Sequence, residues 1–345
     1  MGGMRIVTVS ILLACFTILT ASGARAWGAL GHRIVNNDAA RSLPASLPAF
    51  LRTPAAIAEI TTLGPEADRL KAASPPYDAD NDPAHYINVD DDGTVAGVVP
   101  LAQLPPTRDA YDTAVRKGHL VEGRPPDQYR VGYLPYSIID GYQQVVADFA
   151  IWRVDSYGEA HATDPVLEAI FSADRKLRED LTLRDIGYWG HFVGDASQPL
   201  HVSVHYNGWG DFPNPNNYTQ SHTIHADFET KFVNDHATAD LVLPYVGAYV
   251  PSTQSISARV SAYLAATNAG ATTVYRLTDA GAFAAGTPEA LTFTLKRLAA
   301  GAQEFRDLIA DAYAASATAT IGYPPIHVDQ VLDGTVPPPS PIGHD

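Results

Sequence analysis

A chain of 345 residues with 23 Lys+Arg against 38 Asp+Glu carries a formal charge of −15, which argues against a protein that grips duplex phosphates through basic patches. Its one cysteine, Cys15, leaves no partner for a disulfide within the chain. The length suits one large domain with a sizeable core or two small ones, and no Pro/Gly/Ser-rich linker divides it.

Taken in chain order, residues 1–26 place Arg5 before an apolar run from Ile6 to Thr20 and end on Ala24-Arg25-Ala26, a small-x-small cleavage pattern. The run is shorter than the roughly 20 apolar residues a spanning helix needs. It reads as a secretory leader cut between Ala26 and Trp27, giving a secreted or periplasmic protein with no stable membrane anchor. The remaining chain has 21 basic against 38 acidic residues, a formal charge of −17, and no cysteine. Such acidity is compatible with a phosphate-bearing substrate when bound cations reverse the field locally.

Val35 to Leu51 has helical spacing interrupted by Pro44 and Pro48, which predicts a short helix and a turn. Residues 74–107 are rich in Pro, Asp and Gly. They predict loop plus a small hairpin pairing Tyr86–Val89 with Val95–Val99 across Asp90–Gly93. Apolar residues recur at three and four from Ser137 to Ser156 and again at Leu167, Ile170 and Phe171, so both stretches read as amphipathic helices. Asp185 to Ala196 is apolar nearly all round, as a buried central helix would be. Ile256–Ala266 and Pro288–Tyr313 predict two more helices, and the Pro-rich stretch 321–345 reads as a tail with little power to form a core. The fold class is therefore mainly α, with a small β-hairpin and long loops, as a single domain over 27–320.

The chemistry concentrates in His191-Phe192-Val193-Gly194-Asp195-Ala196-Ser197-Gln198-Pro199-Leu200-His201. His191 and Asp195 are four apart, hence on one helix face, and His201 follows a proline break. His225 and Glu229 repeat the four-residue interval. Taken singly, such a helical His–Glu pair is equally a surface ion pair. Together, imidazoles and carboxylates converging from neighbouring helices are how helical proteins build metal sites, and the mix suits zinc.

With these motifs, Trp27-x-x-x-x-His32 and His85-Tyr86-Ile87 make the chain resemble the three-zinc single-strand nucleases of fungal and plant type, which share their fold with bacterial zinc-dependent phospholipase C. The resemblance runs from Trp27 to about Val233 and is most specific over 191–201. It implies a phospholipase C/nuclease-type helical fold and three zinc ions: Asp68, His85, His191 and Asp195 on one, the Trp27 terminus, His32 and a bridging Asp195 on the second, and His201, His225 and Glu229 on the third. The Trp27 role needs a free α-amine, so leader removal would complete the site. The resemblance further implies that Asp68 orients the attacking water and accepts its proton, and that Lys71 or Arg69 offsets charge on the phosphoryl oxygens.

Two positions depart from the nuclease pattern. Glu66 replaces the usual Trp two residues before Asp68, while Lys71 keeps the basic position. Glu229 stands where the nucleases have Asp and the phospholipases Glu. The intervals from Trp27 to His32 and from His201 to His225 are nuclease-like. Tyr86 and the loop residue Trp209 are the aromatic surfaces assigned to base stacking, and His205 and His222 read as loop residues. The expected activity is that of a secreted endonuclease cutting single-stranded DNA or RNA to 5′-phosphate products, with no protein partner evident. The alternatives are a phospholipase C acting on lipid head groups and a non-catalytic protein stapled by zinc.

Overall fold

The computed structural model describes residues 27–71 and 73–339. The leader and its cut point before Trp27 lie outside the described residues, as does the end of the Pro-rich segment from 340 on. Among the described residues no helix is long and apolar enough to cross a membrane.

The chain is mainly helical. Helix α1 (Ala29–Arg41) is followed by α2 (Pro54–Leu63), which opens with Thr53 Oγ1 accepting the Ala56 N–H and with Pro54 where a missing N–H costs nothing. The short α3 (Glu66–Leu70) follows. Two long helices, α4 (Leu134–His161) and α5 (Pro165–Asp195), are joined by three residues and so lie antiparallel. Further on come α6 (Ile256–Asn268), α7 (Ala271–Asp279) and α8 (Pro288–Ala315), with α6 and α8 capped by Ser255 and Thr287. Such a cap contributes about 1 kcal/mol.

Asp185–Ala196, read from sequence as a separate helix, is the last third of α5. No proline or glycine interrupts 166–186, so the helix continues through the change of pattern. That change marks environment: Val166 and Leu177 are largely exposed, whereas every residue from Trp189 to Asp195 is buried.

The close approach of α1, α2 and α5 fixes the ends from which functional side chains project. A side-chain carbon at Gly190 would fall 2.3 Å from Asn36 Oδ1 and 2.5 Å from the Phe305 ring. Into that space Asn36 sends its buried Nδ2 to the carbonyls of Ile60 (2.8 Å) and Gly187 (2.9 Å), tying α1 to both neighbours. Gly190→Ala is expected to destabilise the fold by about 1–3 kcal/mol through overpacking, read as a lower urea midpoint at unchanged slope. A loss under about 0.5 kcal/mol, the range of an ordinary surface change, would refute so tight a contact.

Two sequence readings are corrected. The hairpin pairs Thr94–Val95 with Val99–Pro100, because the chain reverses at Ala96 and Gly97, whose φ angles are +52° and +73°. Val89 meets Val95 only in an isolated bridge. The segment taken as a tail from 321 also folds: Thr320–Ile321 pairs with Ile326–His327, and the following turn of helix buries Val328 and Val331 against Ala150 and Val154 of α4. Burying two valines there is worth about 3 kcal/mol or more, enough to hold a short segment that its prolines alone would leave free.

Candidate metal centre

Trp27 is wholly buried: its Nε1–H donates to Ser197 Oγ (2.8 Å) and its ring lies 5.3 Å from Phe228. This anchors the start of α1, and one turn later His32 faces the C-terminal end of α5. There His191 and Asp195 project together, and the His32 and His191 rings stack at 3.8 Å. Asp195 Oδ1 lies 3.4 Å from His32 Nε2 and its Oδ2 lies 3.4 Å from His191 Nε2. Asp68 on α3 approaches the same nitrogens at 3.9 and 3.8 Å and takes an ion pair from Lys71 Nζ at 3.0 Å. His85, closing the tight turn Asp82–His85, groups with Asp68 and His191.

The second locus is built by turns. Pro199 starts a 3-10 turn that carries His201; His225 sits on Ile224–Ala226, and a wider π-type turn, Asp227–Phe232, presents Glu229. His225 Nε2 is 2.8 Å and His201 Nε2 3.6 Å from Glu229 Oε2, and the two ring nitrogens are 3.1 Å apart. Buried Gln198, which the sequence reading passed over, donates Nε2–H to Glu229 Oε2 (3.1 Å) and accepts the Leu200 N–H on Oε1 (2.6 Å). The signal was available: it is the polar residue just before the proline break, where a side chain can cap the turn. The two loci are joined by backbone, for His201 Nδ1–H donates to the His85 carbonyl (2.6 Å) and the Ile87 N–H to the His201 carbonyl (2.9 Å).

Tautomers follow from these partners. A carbonyl oxygen only accepts, so Nδ1 carries the proton in His191 (to Gly64, 2.8 Å), His201 (to His85), His225 (to Tyr206, 2.8 Å) and His85 (to Asp82, 3.0 Å). The Nε2 of His191, His201 and His85 therefore turns a lone pair inward, while that of His225, 2.8 Å from Glu229 and raised by it, shares a proton with that carboxylate when no cation is bound. Among the site residues the buried atoms without a hydrogen-bond partner are both nitrogens of His32, Nε2 of His85 and His191, both oxygens of Asp195, Glu229 Oε1 and Asp68 Oδ1, the last ion-paired to Lys71. Acceptor facing acceptor is repulsive unless a cation lies between. Donors about 2.0–2.1 Å from a tetrahedral ion sit about 3.4 Å from one another, close to the observed separations. The residues fit divalent metal ions, in three groups: His32, His191 and Asp195; Asp68, His85 and His191; and His201, His225 and Glu229. One imidazole nitrogen serves a single ion, so a carboxylate must bridge the first two, and Asp195, 3.4 Å from each imidazole, lies nearer both than Asp68 does.

Protonation favours the same reading. Burial, then the neighbouring imidazoles, holds His32 well below the usual histidine range; burial, then Lys71, does so for His85; burial lowers His201 and brings His191 to about 4. These rings are neutral near pH 7, the state that ligates. Burial, then the Asp68 charge, raises Asp195 well above the carboxylate range, so without a cation the first locus sheds its charge. In the second, burial opposes both charges, yet His225 and His201 hold Glu229 at about 2 and Glu229 raises His225. Lys71 stays cationic, since the pull of Asp68, Asp195 and Asp82 exceeds the effect of burial.

Beside these groups opens a cleft of about 760 Å³ into which Lys71, His85, His201 and His225 face. Tyr86 lines it, and so do Tyr129 and Tyr206. Trp209 does not fill its expected role. It is buried, stacked on His205 at 3.7 Å, edge-on to Tyr275, and bonded through Nε1–H to the Pro213 carbonyl (2.9 Å). The cause is His205, a loop residue whose side chain is buried: one ring nitrogen meets the Trp209 carbonyl and the other the Asp91 carboxylate, each at 2.8 Å. His222 is exposed on the loop, with Nδ1–H donating to the Asn207 carbonyl (2.9 Å). The sequence reading also missed two cleft cations, Arg124 at the end of a two-residue turn and Arg130 on the four-residue helix Gln128–Val131, segments too short to show periodicity.

No protein-family model and no curated protein matches the chain.

Proposed function

We propose that this chain is an exported zinc-dependent phosphodiesterase that cuts single-stranded nucleic acid. The observation that carries the reading is the set of buried, mutually facing lone pairs at the end of a cleft whose wall holds tyrosines and cations. Asp195 would bridge two ions, with His32 and the freed Trp27 amine on one side and Asp68, His85 and His191 on the other; His201, His225 and Glu229 would hold the third. Zinc bound there supplies Lewis-acid polarisation of phosphoryl oxygen and makes water acidic enough to attack near neutral pH.

The chain's own groups do the rest. Asp68, ion-paired to the cleft residue Lys71, orients the attacking water and takes its proton. Lys71 remains charged and lies where negative charge spreads over the phosphoryl oxygens in the transition state. Gln198 keeps Glu229 in place by its hydrogen bond. Tyr86, next to His85, offers a ring face to an unpaired base, and a base within a duplex has no free face to give it.

A second reading has its own support. The cleft also carries Asp78, Asp80, Asp82, Glu122 and Asp127. Carboxylates beside tyrosine rings suit a cationic lipid head group, and Glu229 is the carboxylate of the phospholipase branch. One paired assay separates the two. Protein starting at Trp27 is expected to hold about three zinc ions and to cut single-stranded DNA or RNA, leaving 5′-phosphates, while phosphatidylcholine stays intact. Metal-replete protein that hydrolyses phosphatidylcholine and leaves nucleic acid untouched overturns the nuclease assignment; inertness toward both overturns catalysis.

A further inference from the structure

The nuclease reading leaves an electrostatic question in a chain of formal charge −15: what meets the phosphates on either side of the one being cut. The cleft has three cations. Lys71 is engaged by Asp68 at 3.0 Å and Asp82 at 3.8 Å, and Arg130 is ion-paired with Asp127. Among the described residues, Arg124 is the cleft cation whose side chain makes neither an ion pair nor a hydrogen bond.

Its backbone, by contrast, is fixed. Val121 and Arg124 exchange two backbone hydrogen bonds of 2.9 and 3.0 Å across a two-residue reversal. Glu122 and Gly123 turn the chain with φ of +50° and +73°, the mirror-image hairpin geometry for which Asn-Gly is the usual sequence. A glutamate in the left-handed region is uncommon. A pinned turn thus carries a long, unpaired guanidinium at the cleft wall, a preorganised donor fork of the kind that binds phosphate in two-pronged fashion.

We infer that Arg124 binds a non-scissile phosphate of the substrate strand, so that the enzyme favours a polynucleotide over a diester bearing a single phosphate. The assignment rests on the nuclease reading and deepens it. It also bears on the two candidate substrates, because a simple phospholipid offers no flanking phosphate.

The test uses zinc-loaded protein and three substrates: thymidylyl-thymidine, with one phosphodiester, and the same compound bearing a terminal phosphate at its 5′ or its 3′ end. In the wild type one of the terminal phosphates is expected to raise kcat/KM about tenfold, the scale of a charge-assisted contact. In Arg124→Gln that gain disappears while cleavage of the unphosphorylated compound stays within about twofold of wild type, and Arg124→Lys keeps part of the gain. The salt dependence for the favoured substrate becomes shallower by about 0.7 in log–log slope. Equal loss on all three substrates would place Arg124 at the scissile phosphate or in folding and overturn the assignment, as would no loss on any. Wild-type protein that cleaves none of the three removes the nuclease reading itself, and this inference with it.

Discussion

Asp195→Asn is expected to lower kcat/KM on single-stranded nucleic acid by about a thousandfold or more, equivalent to about 4 kcal/mol of transition-state stabilisation. Zinc content should fall by up to two equivalents, since Asp195 reaches both His32 and His191 at 3.4 Å. The same substitution should leave the metal-free fold at least as stable as metal-free wild type. Asp195 is wholly buried with neither oxygen hydrogen-bonded, so its charge is a cost when no cation is present. Asparagine keeps the shape and removes that cost. Opposite signs for activity and apo stability separate a ligand from a structural aspartate, whose loss would weaken both. Full zinc content with unchanged kcat/KM would dismiss the bridging role.

Chelation is expected to have the second large effect. Stripping zinc from the mature protein should abolish cleavage and cost on the order of 5 kcal/mol or more of folding stability, with recovery on adding zinc back. The expected loss is large because the buried acceptors of His32, His85, His191, Asp195 and Glu229 lose their cations, at about 1–3 kcal/mol for each that finds no proton or water, and Cys15 is the chain's only cysteine. In the metal-free form the site imidazoles contribute a loss of stability on acidification. His32, His85 and His191 have folded pKa values below the ordinary 6.5, that of His191 at about 4. The unfolded chain therefore takes up protons first, and stability drains away as pH falls from 6.5 toward 4. Asp195, raised by burial, acts in the opposite sense, as do Asp38, Asp148, Asp155 and Asp307 away from the site, so the imidazole share is read from the difference between the chelated and zinc-loaded forms. Thermal melts of chelated and zinc-loaded protein across this range test both statements; coincident melting curves would refute them.

What sequence could convey followed from periodicity. His191 and Asp195 were legible because a four-residue interval on a helix means one face, and that helix is present. The two helices of the α4–α5 hairpin were legible in type, though not in extent. Asp68 and His85 have no such grammar: they sit on a five-residue helix and a tight turn, and only resemblance singled them out. Trp209 was misassigned since an aromatic in an Asn/Gly-rich loop looks exposed until the loop is seen to fold over His205 and Tyr275. Val328 and Val331 were hidden for a related reason, because their burial depends on α4, far away in sequence. Arg124 was invisible, as a Glu-Gly reversal is not a usual signal for its turn. Burial and left-handed backbone are tertiary facts, and single-residue patterns carry little of either.

The bonds from His201 Nδ1–H to the His85 carbonyl and from the Ile87 N–H to the His201 carbonyl tie the spacing of the two loci to the main chain. Side chains can change rotamer and loops can drift, but a gap set by peptide geometry behaves as a ruler of fixed length. Under the proposed activity, the distance from the point of attack to the point of departure would be built in before any substrate arrived. The protein would then discriminate by the span of what enters, tolerating changes in base or sugar that leave the phosphodiester's dimensions intact and rejecting those that lengthen it.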